Sequence, residues 1–258
     1  MSATLPRLIL ASASPRRLDI LRAHGHDPVV IKPDVNEQLD AQTALPDLPA
    51  LLEELALSKA RYVFGCLASK EVPGVTEALS ELVTAEVTRD ATSTIAEVAG
   101  AQTSKIVEAQ TAQASGIKTI DVTEATTTTV ADGQPLIIIA ADTVVYTDHI
   151  IGKPRDHAAA VQTLLELRNR THTVLTAVAV IELPDATELS FTDQALVRFG
   201  DYNLETIEHY IATEPPYDKA GSYAIQGIWS RQVTSIEGDQ NTVIGLPYQH
   251  LADLLGWK

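Results

Sequence analysis

The chain has 258 residues, 45% of them hydrophobic and 21% charged, enough for one large domain or two small ones with an ample core. Its net charge of −15 excludes a nucleic-acid-binding class, because affinity for a polyanion comes from lysines and arginines that neutralise many phosphates. A single cysteine, Cys66, excludes an internal disulfide framework, and no apolar run is long enough to cross a bilayer.

Residues 8–10 read as a short apolar strand. Ser12 to Ser14 form a turn of small residues, and Pro15 opens a helix through Leu18 and Leu21, since serine is a favoured N-cap and proline fits the first helical position. Arg16 and Arg17 fall in the first turn, the end of the helix dipole that cations avoid. A bound anion among them explains the placement, phosphate being the usual one. A capped surface helix with solvated arginines explains it too, and the segment alone leaves both open.

Residues 28–33 are extended and residues 48–64 form a helix. Residues 67–130 break the pattern: rich in Thr, Ala, Glu and Ser, they end in the run Thr126-Thr-Thr-Thr129. Helical spacing over 75–87 and 95–113 is weak, and 117–122 reads as a short strand. The thin apolar content predicts an insertion forming a helical hairpin or a partly mobile flap within one domain spanning 1–258.

Residues 136–146 are a strong buried strand, 157–167 a helix, 173–183 and 189–199 neighbouring antiparallel strands, 204–212 a helix and 246–255 a C-terminal helix. The alternation predicts an α/β fold with a mixed, largely covered central sheet and helices on both sides. With no basic, apolar leader at the start of the chain, a soluble cytoplasmic protein is expected.

Among candidate chemical groups, Asp142 follows the apolar run Leu136-Ile-Ile-Ile-Ala-Ala, near the end of a buried strand where open α/β sheets place ligands. Gly152-Lys153-Pro154 lies about ten residues on, the reach of a hairpin that returns Lys153 toward Asp142. Lys59, flanked by Leu55, Ala56 and Ala60, reads as a snorkelling lysine, and Glu37 as solvated loop. The segment Asp218-Lys219-Ala-Gly-Ser-Tyr-Ala-Ile-Gln226-Gly227 offers charge and, in Gln226, an amide able to pair with a base edge. Glu237-Gly-Asp239 reads as a solvated turn. His172 and His209 stand without evident partners, which favours structural roles. Walker-type and Gly-x-Gly-x-x-Gly loops are absent, as are His-Glu-x-x-His and Cys/His zinc spacings.

Taken together, the chain resembles the Maf family of nucleoside triphosphate pyrophosphatases. The resemblance rests on Leu10-Ala-Ser-Ala-Ser-Pro-Arg-Arg17, Val35-Asn-Glu37, Leu57-Ser-Lys-Ala60, Ala141-Asp-Thr-Val-Val145, Gly152-Lys-Pro-Arg-Asp156, Thr171-His172, Asp218-Lys-Ala-Gly221, Ile225-Gln-Gly227 and Ile236-Glu-Gly-Asp239 through Ile244-Gly-Leu-Pro247, in the family's order. It implies two lobes flanking a substrate cleft, hydrolysis between the α- and β-phosphates, a divalent cation (Mg²⁺ or Mn²⁺) and a homodimer. Asp142 matches the family's general base, and Ser12, Arg17, Glu37, Lys59 and Lys153 match phosphate- and metal-handling positions. Arg16 and Lys219 fall within the matched motifs as substrate-side residues. Arg17, Thr143 and Gln226 match positions associated with base choice, and the branch implied acts on dTTP and UTP.

A metal held by Glu37 and Asp142 would neutralise phosphate oxygens, while Arg17, Lys59 and Lys153 supply the local positive field that the acidic whole lacks. Asp142 can serve as base or as metal ligand. Two other readings stay open: housecleaning of modified pyrimidine nucleotides, and a nucleotide-binding regulator of cell division with vestigial catalysis. The chain departs from the family's pattern at Asn36, at Leu167-Arg-Asn-Arg170 in place of a Leu-Ser-Gly turn, and at Gln240.

Overall fold

The computed structural model describes residues 7–69 and 135–257. In chain order it contains β1 (Arg7–Ala11), α1 (Pro15–Ala23), β2 (Val29–Val30), α2 (Leu48–Ser69), β3 (Leu136–Tyr146), β4 (Ile150–Ile151), α3 (His157–Leu167), β5 (Thr171–Leu183), β6 (Thr187–Phe199), α4 (Leu204–Thr213), β7 (Val233–Glu237), α5 (Gln240–Ile244) and α6 (Tyr248–Leu254). The strands make one seven-stranded mixed sheet in the order β2-β1-β3-β5-β6-β7, with β4 paired to β3. β1 runs parallel to β2 and β3, and the other pairings are antiparallel. The elements expected at 75–87, 95–113 and 117–122 lie outside the described residues. No helix among the described residues is long and apolar enough to cross a membrane.

Alternation along β3 sorts its side chains between two layers. Leu136, Ile138 and Ala140 pack with Ile9, Ala60 and Val63, so α2 covers that face. Further along the same face, Val144 and Ala177 meet Leu48, Leu52 and Ala56 of α2. Polar clamps fix α2 across the sheet: Glu53 accepts from Ser190 and Thr192 on β6, and Arg61 pairs with Glu188.

The opposite face carries two separate clusters. Ile137, Ile139 and Ala141 pack with Ile20, Leu21, Leu246 and Leu251, beneath α1 and α6. Val145, Val174, Val197 and Phe199 pack with Leu164, Tyr202, Tyr210 and Trp229, beneath α3 and α4. These are the two lobes. β5 lies between β3 and β6 under both layers, and its residues from His172 to Ile181 are buried without a break.

Some expectations need correction. The helix expected over 246–255 is present but begins only at Tyr248, after Pro247, and the sequence reading has no counterpart for α5 before it, which Gly245 closes with a left-handed φ of 117°. Ser14 does not cap α1 through its hydroxyl; instead its backbone N–H donates to Ser12 Oγ at 3.1 Å, a local serine turn. In the turn after α3, Asn169 takes φ of 58°, the left-handed conformation a glycine adopts at no cost and asparagine tolerates better than other residues.

Candidate active site

A cleft opens where β1 stops. Its pairing with β3 ends at Ala11 opposite Ala140, while β3 continues to Tyr146 and regains a partner on that side only at Val145, opposite Ile151 of β4. Asp142 is therefore inside β3 rather than near its end as expected; what ends beside it is the neighbouring strand. The cleft is lined by residues 12–17, Glu37, Lys59, Asp142, Thr143, Lys153, residues 218–220 and 223–226 of one C-terminal segment, and Val243 and Ile244.

On the α2 face, Lys59 does not snorkel. Its side chain is 3% exposed, and its Nζ lies 2.6 Å from Asp142 Oδ1 and 2.8 Å from Glu37 Oε1. The β3–β4 hairpin brings Lys153 back as expected, but its ammonium reaches Glu37 Oε2 at 3.3 Å rather than Asp142. Charges thus alternate along Lys153, Glu37, Lys59 and Asp142. Burial pushes the Glu37 carboxyl up, and the hydrogen bonds and charges of Lys59 and Lys153 outweigh it, holding the group below its ordinary value. Asn36 takes no place in the lining; its side chain accepts from the Gln38 N–H.

On the opposite face, Arg17 is held by three hydrogen bonds. Nε donates to Gly245 O at 2.7 Å, Nη1 to Ser12 Oγ at 3.0 Å and Nη2 to Thr143 Oγ1 at 3.0 Å. Burial draws its pKa down, opposed chiefly by the charge of Asp142. The close approach at Gly245 needs the missing side chain, since a Cβ there would stand 3.2 Å from Thr143 Oγ1 and 3.4 Å from Arg17 Nε. Arg16, in contrast, pairs with Asp218 at 3.0 Å, and Asp218 also accepts from Lys219 at 2.6 Å. These three close the rim between α1 and the 218–226 segment.

Two backbone N–H donors tie this part of the chain down. Gly221 N donates to Gly152 O, linking it to the Lys153 turn, and Ile228 N donates to Glu214 Oε1. Gln226 is exposed at the mouth, its amide making no hydrogen bond among the described residues. Behind the segment, His172 is not partnerless as expected: its Nε2 lies 2.7 Å from the Tyr223 hydroxyl, and burial lowers its pKa to about 4. Asp239 caps α5 by accepting from Asn241 N rather than being merely solvated.

All the sequence-derived candidates (Ser12, Arg16, Arg17, Glu37, Lys59, Asp142, Thr143, Lys153, Lys219 and Gln226) line this one cleft. Thr176, whose hydroxyl lies 2.9 Å from Thr143 Oγ1 just outside the lining, was not among the candidates, and Gly245, which accepts from Arg17, entered only as part of a matched motif. For Thr176 the available signal was a hydroxyl interrupting the apolar run of β5, and for Gly245 a glycine two residues before a proline.

The lining carries five cations (Arg16, Arg17, Lys59, Lys153, Lys219) against three carboxylates (Glu37, Asp142, Asp218), a local excess of positive charge in an acidic chain. Backbone N–H groups of the first turn of α1 add to it. Among the described residues no group of three or more His, Cys, Asp or Glu is placed to hold a metal ion. Two carboxylates joined to an ammonium suit Mg²⁺ or Mn²⁺ arriving with a phosphate ligand, since Mg²⁺ is usually held by one or two carboxylates plus substrate phosphates. The arrangement can bind a polyphosphate and present a carboxylate to water beside it.

A family model described as "Maf-like protein" matches residues 7–257. A dTTP/UTP pyrophosphatase of Dictyoglomus thermophilum is 32% identical over 249 residues, covering 96% of this chain and 94% of the relative. One of Symbiobacterium thermophilum is 32% identical over 253 residues, covering 97% and 93%. One of Dictyoglomus turgidum is 48% identical over 120 residues, 46% of this chain and 62% of that relative's length.

Proposed function

Because this chain belongs to the Maf family, we propose that it hydrolyses dTTP and UTP between the α- and β-phosphates, releasing the monophosphate and pyrophosphate. One observation carries the mechanism: the alternating chain Lys153, Glu37, Lys59 and Asp142 faces the Arg17 fork across a single cleft.

In this reading Arg17, Ser12 and the first-turn N–H groups of α1 hold the triphosphate, with Lys153 and Lys219 beside it. Asp142 has one oxygen engaged by Lys59 and the other directed to a water molecule, which it orients and deprotonates. The water oxygen forms its bond to phosphorus, the bridging P–O bond breaks, and pyrophosphate leaves with the negative charge facing the lysines. Glu37 and Asp142 would hold a divalent cation, Mg²⁺ or Mn²⁺, which neutralises phosphate oxygens when bound. Gln226 and Thr143 face the base, and Arg16 holds the rim through Asp218 rather than the substrate.

We read the chain as one domain interrupted at about residues 67–130, acting as a cytoplasmic homodimer on a small nucleotide and not on nucleic acid. The single cysteine and the net charge support the compartment and the substrate class; the family resemblance supports the dimer. The test is a panel of dTTP, UTP, CTP and 7-methyl-GTP with products identified by phosphorus NMR. Monophosphate and pyrophosphate from dTTP and UTP are expected. Release of inorganic phosphate, or tight binding without turnover at any metal concentration, would overturn the reading.

A further inference from the structure

Beneath the cleft, three strands contribute one row of polar side chains to an otherwise apolar layer. Thr143 of β3 lies opposite Thr176 of β5, and Thr176 lies opposite Asp193 of β6. Directly opposed residues share a face, so all three point toward α1 and α5. Thr176 and Thr242 are fully buried. A buried hydroxyl in such a layer persists only where its donor and acceptor are matched.

The matching here has a direction. Thr176 Oγ1 lies 2.7 Å from the Thr242 carbonyl, which can only accept, so the single Thr176 proton is committed there. The 2.9 Å contact between Thr143 Oγ1 and Thr176 Oγ1 must then run from Thr143 to Thr176. Thr143 in turn accepts from Arg17 Nη2. The relay is Arg17 to Thr143 to Thr176 to the Thr242 carbonyl, and Thr242 is itself fixed by donating to Asp193 Oδ2 at 3.1 Å.

We infer that Thr176 is a positioning residue for nucleotide hydrolysis. It takes the Thr143 proton away from the cleft, so that Thr143 presents an acceptor to Arg17 and holds the guanidinium in its observed fork. Without Thr176 the Thr143 hydroxyl is released to turn, its proton can face Arg17, and the fork loses one of its three anchors. The inference rests on the cleft being the nucleotide site.

The experiment is a double-mutant cycle on dTTP hydrolysis with Thr176→Val and Thr143→Val, alongside Thr176→Ser, each variant's unfolding midpoint being measured first. Thr176→Val is expected to lower kcat/KM about tenfold, the effect of losing one buried hydrogen bond. Thr176→Ser should restore most of it, and Thr176→Val should add little in the Thr143→Val background. An equal loss in both backgrounds, or a serine variant as poor as valine, would overturn the relay. Thr176→Cys, which keeps the volume and little of the hydrogen bonding, replaces valine in the cycle if valine does not fold. A Thr143→Val enzyme with unchanged kcat/KM would instead bring down the reading of the cleft, and the inference with it.

Discussion

Asp142 and Thr143 are neighbours in β3 and so point to opposite faces of the sheet, yet both line one cleft. This is possible because β1 ends at Ala11, leaving the edge of β3 unpaired from Ala141 until β4 joins at Val145. A ligand at that gap meets both faces at once. It finds the Lys59 and Glu37 cluster through Asp142, and the Arg17 fork through Thr143.

Lys59→Met should lower kcat for dTTP at least a hundredfold, because the ammonium holds two carboxylates together and faces the leaving pyrophosphate. Lys59→Arg should not rescue it, since a planar fork cannot take the place of a point charge bonded to two carboxylates. Steady-state kinetics of both variants check this; an arginine variant near wild type would refute it.

Gly245→Ala should raise KM for dTTP about tenfold and lower stability by about 1–2 kcal/mol, combining left-handed backbone strain with a Cβ pressed on the Arg17 fork. Thermal unfolding and kinetics of the variant test both parts. Unchanged KM with reduced stability would mean that the glycine serves the turn alone.

Stability should carry a signature of His172. Its folded pKa of about 4 lies below the ordinary value of 6.5, because burial penalises the charged form. Between those values the unfolded chain binds more protons, so stability is fully present above about pH 6.5 and falls as the pH drops toward 4. From pH 7 to pH 5 the loss is about 2 kcal/mol. The stability difference between wild type and His172→Gln, measured by urea unfolding, should shrink by that amount over the same range. Parallel profiles would contradict it.

Much of the fold was legible in the sequence where apolar runs were long and bounded by caps. β3 and α3 lie where periodicity puts them, and the C-terminal helix lies within its expected range, starting at Tyr248 just after Pro247. The candidate site was legible through ordered motifs rather than through any residue by itself. Lys59 shows why: local pattern sees only its apolar helical neighbours, whereas its role follows from α2 crossing β3, a contact between residues 83 apart. Thr176 was hidden for the same reason, since a hydroxyl in a strand acquires a direction only when the partner carbonyl is known.

Pyrophosphate release from dTTP by wild type and Asp142→Asn, each with Mg²⁺ and with Mn²⁺, tests the account most directly. Wild type should yield the monophosphate and pyrophosphate in equal amounts, and the asparagine variant, folded with an unchanged midpoint to within a few degrees, should lose at least about a hundredfold in kcat. An Asp142→Asn enzyme that turns over dTTP at the wild-type rate would contradict the assignment of the cleft chemistry to that carboxylate.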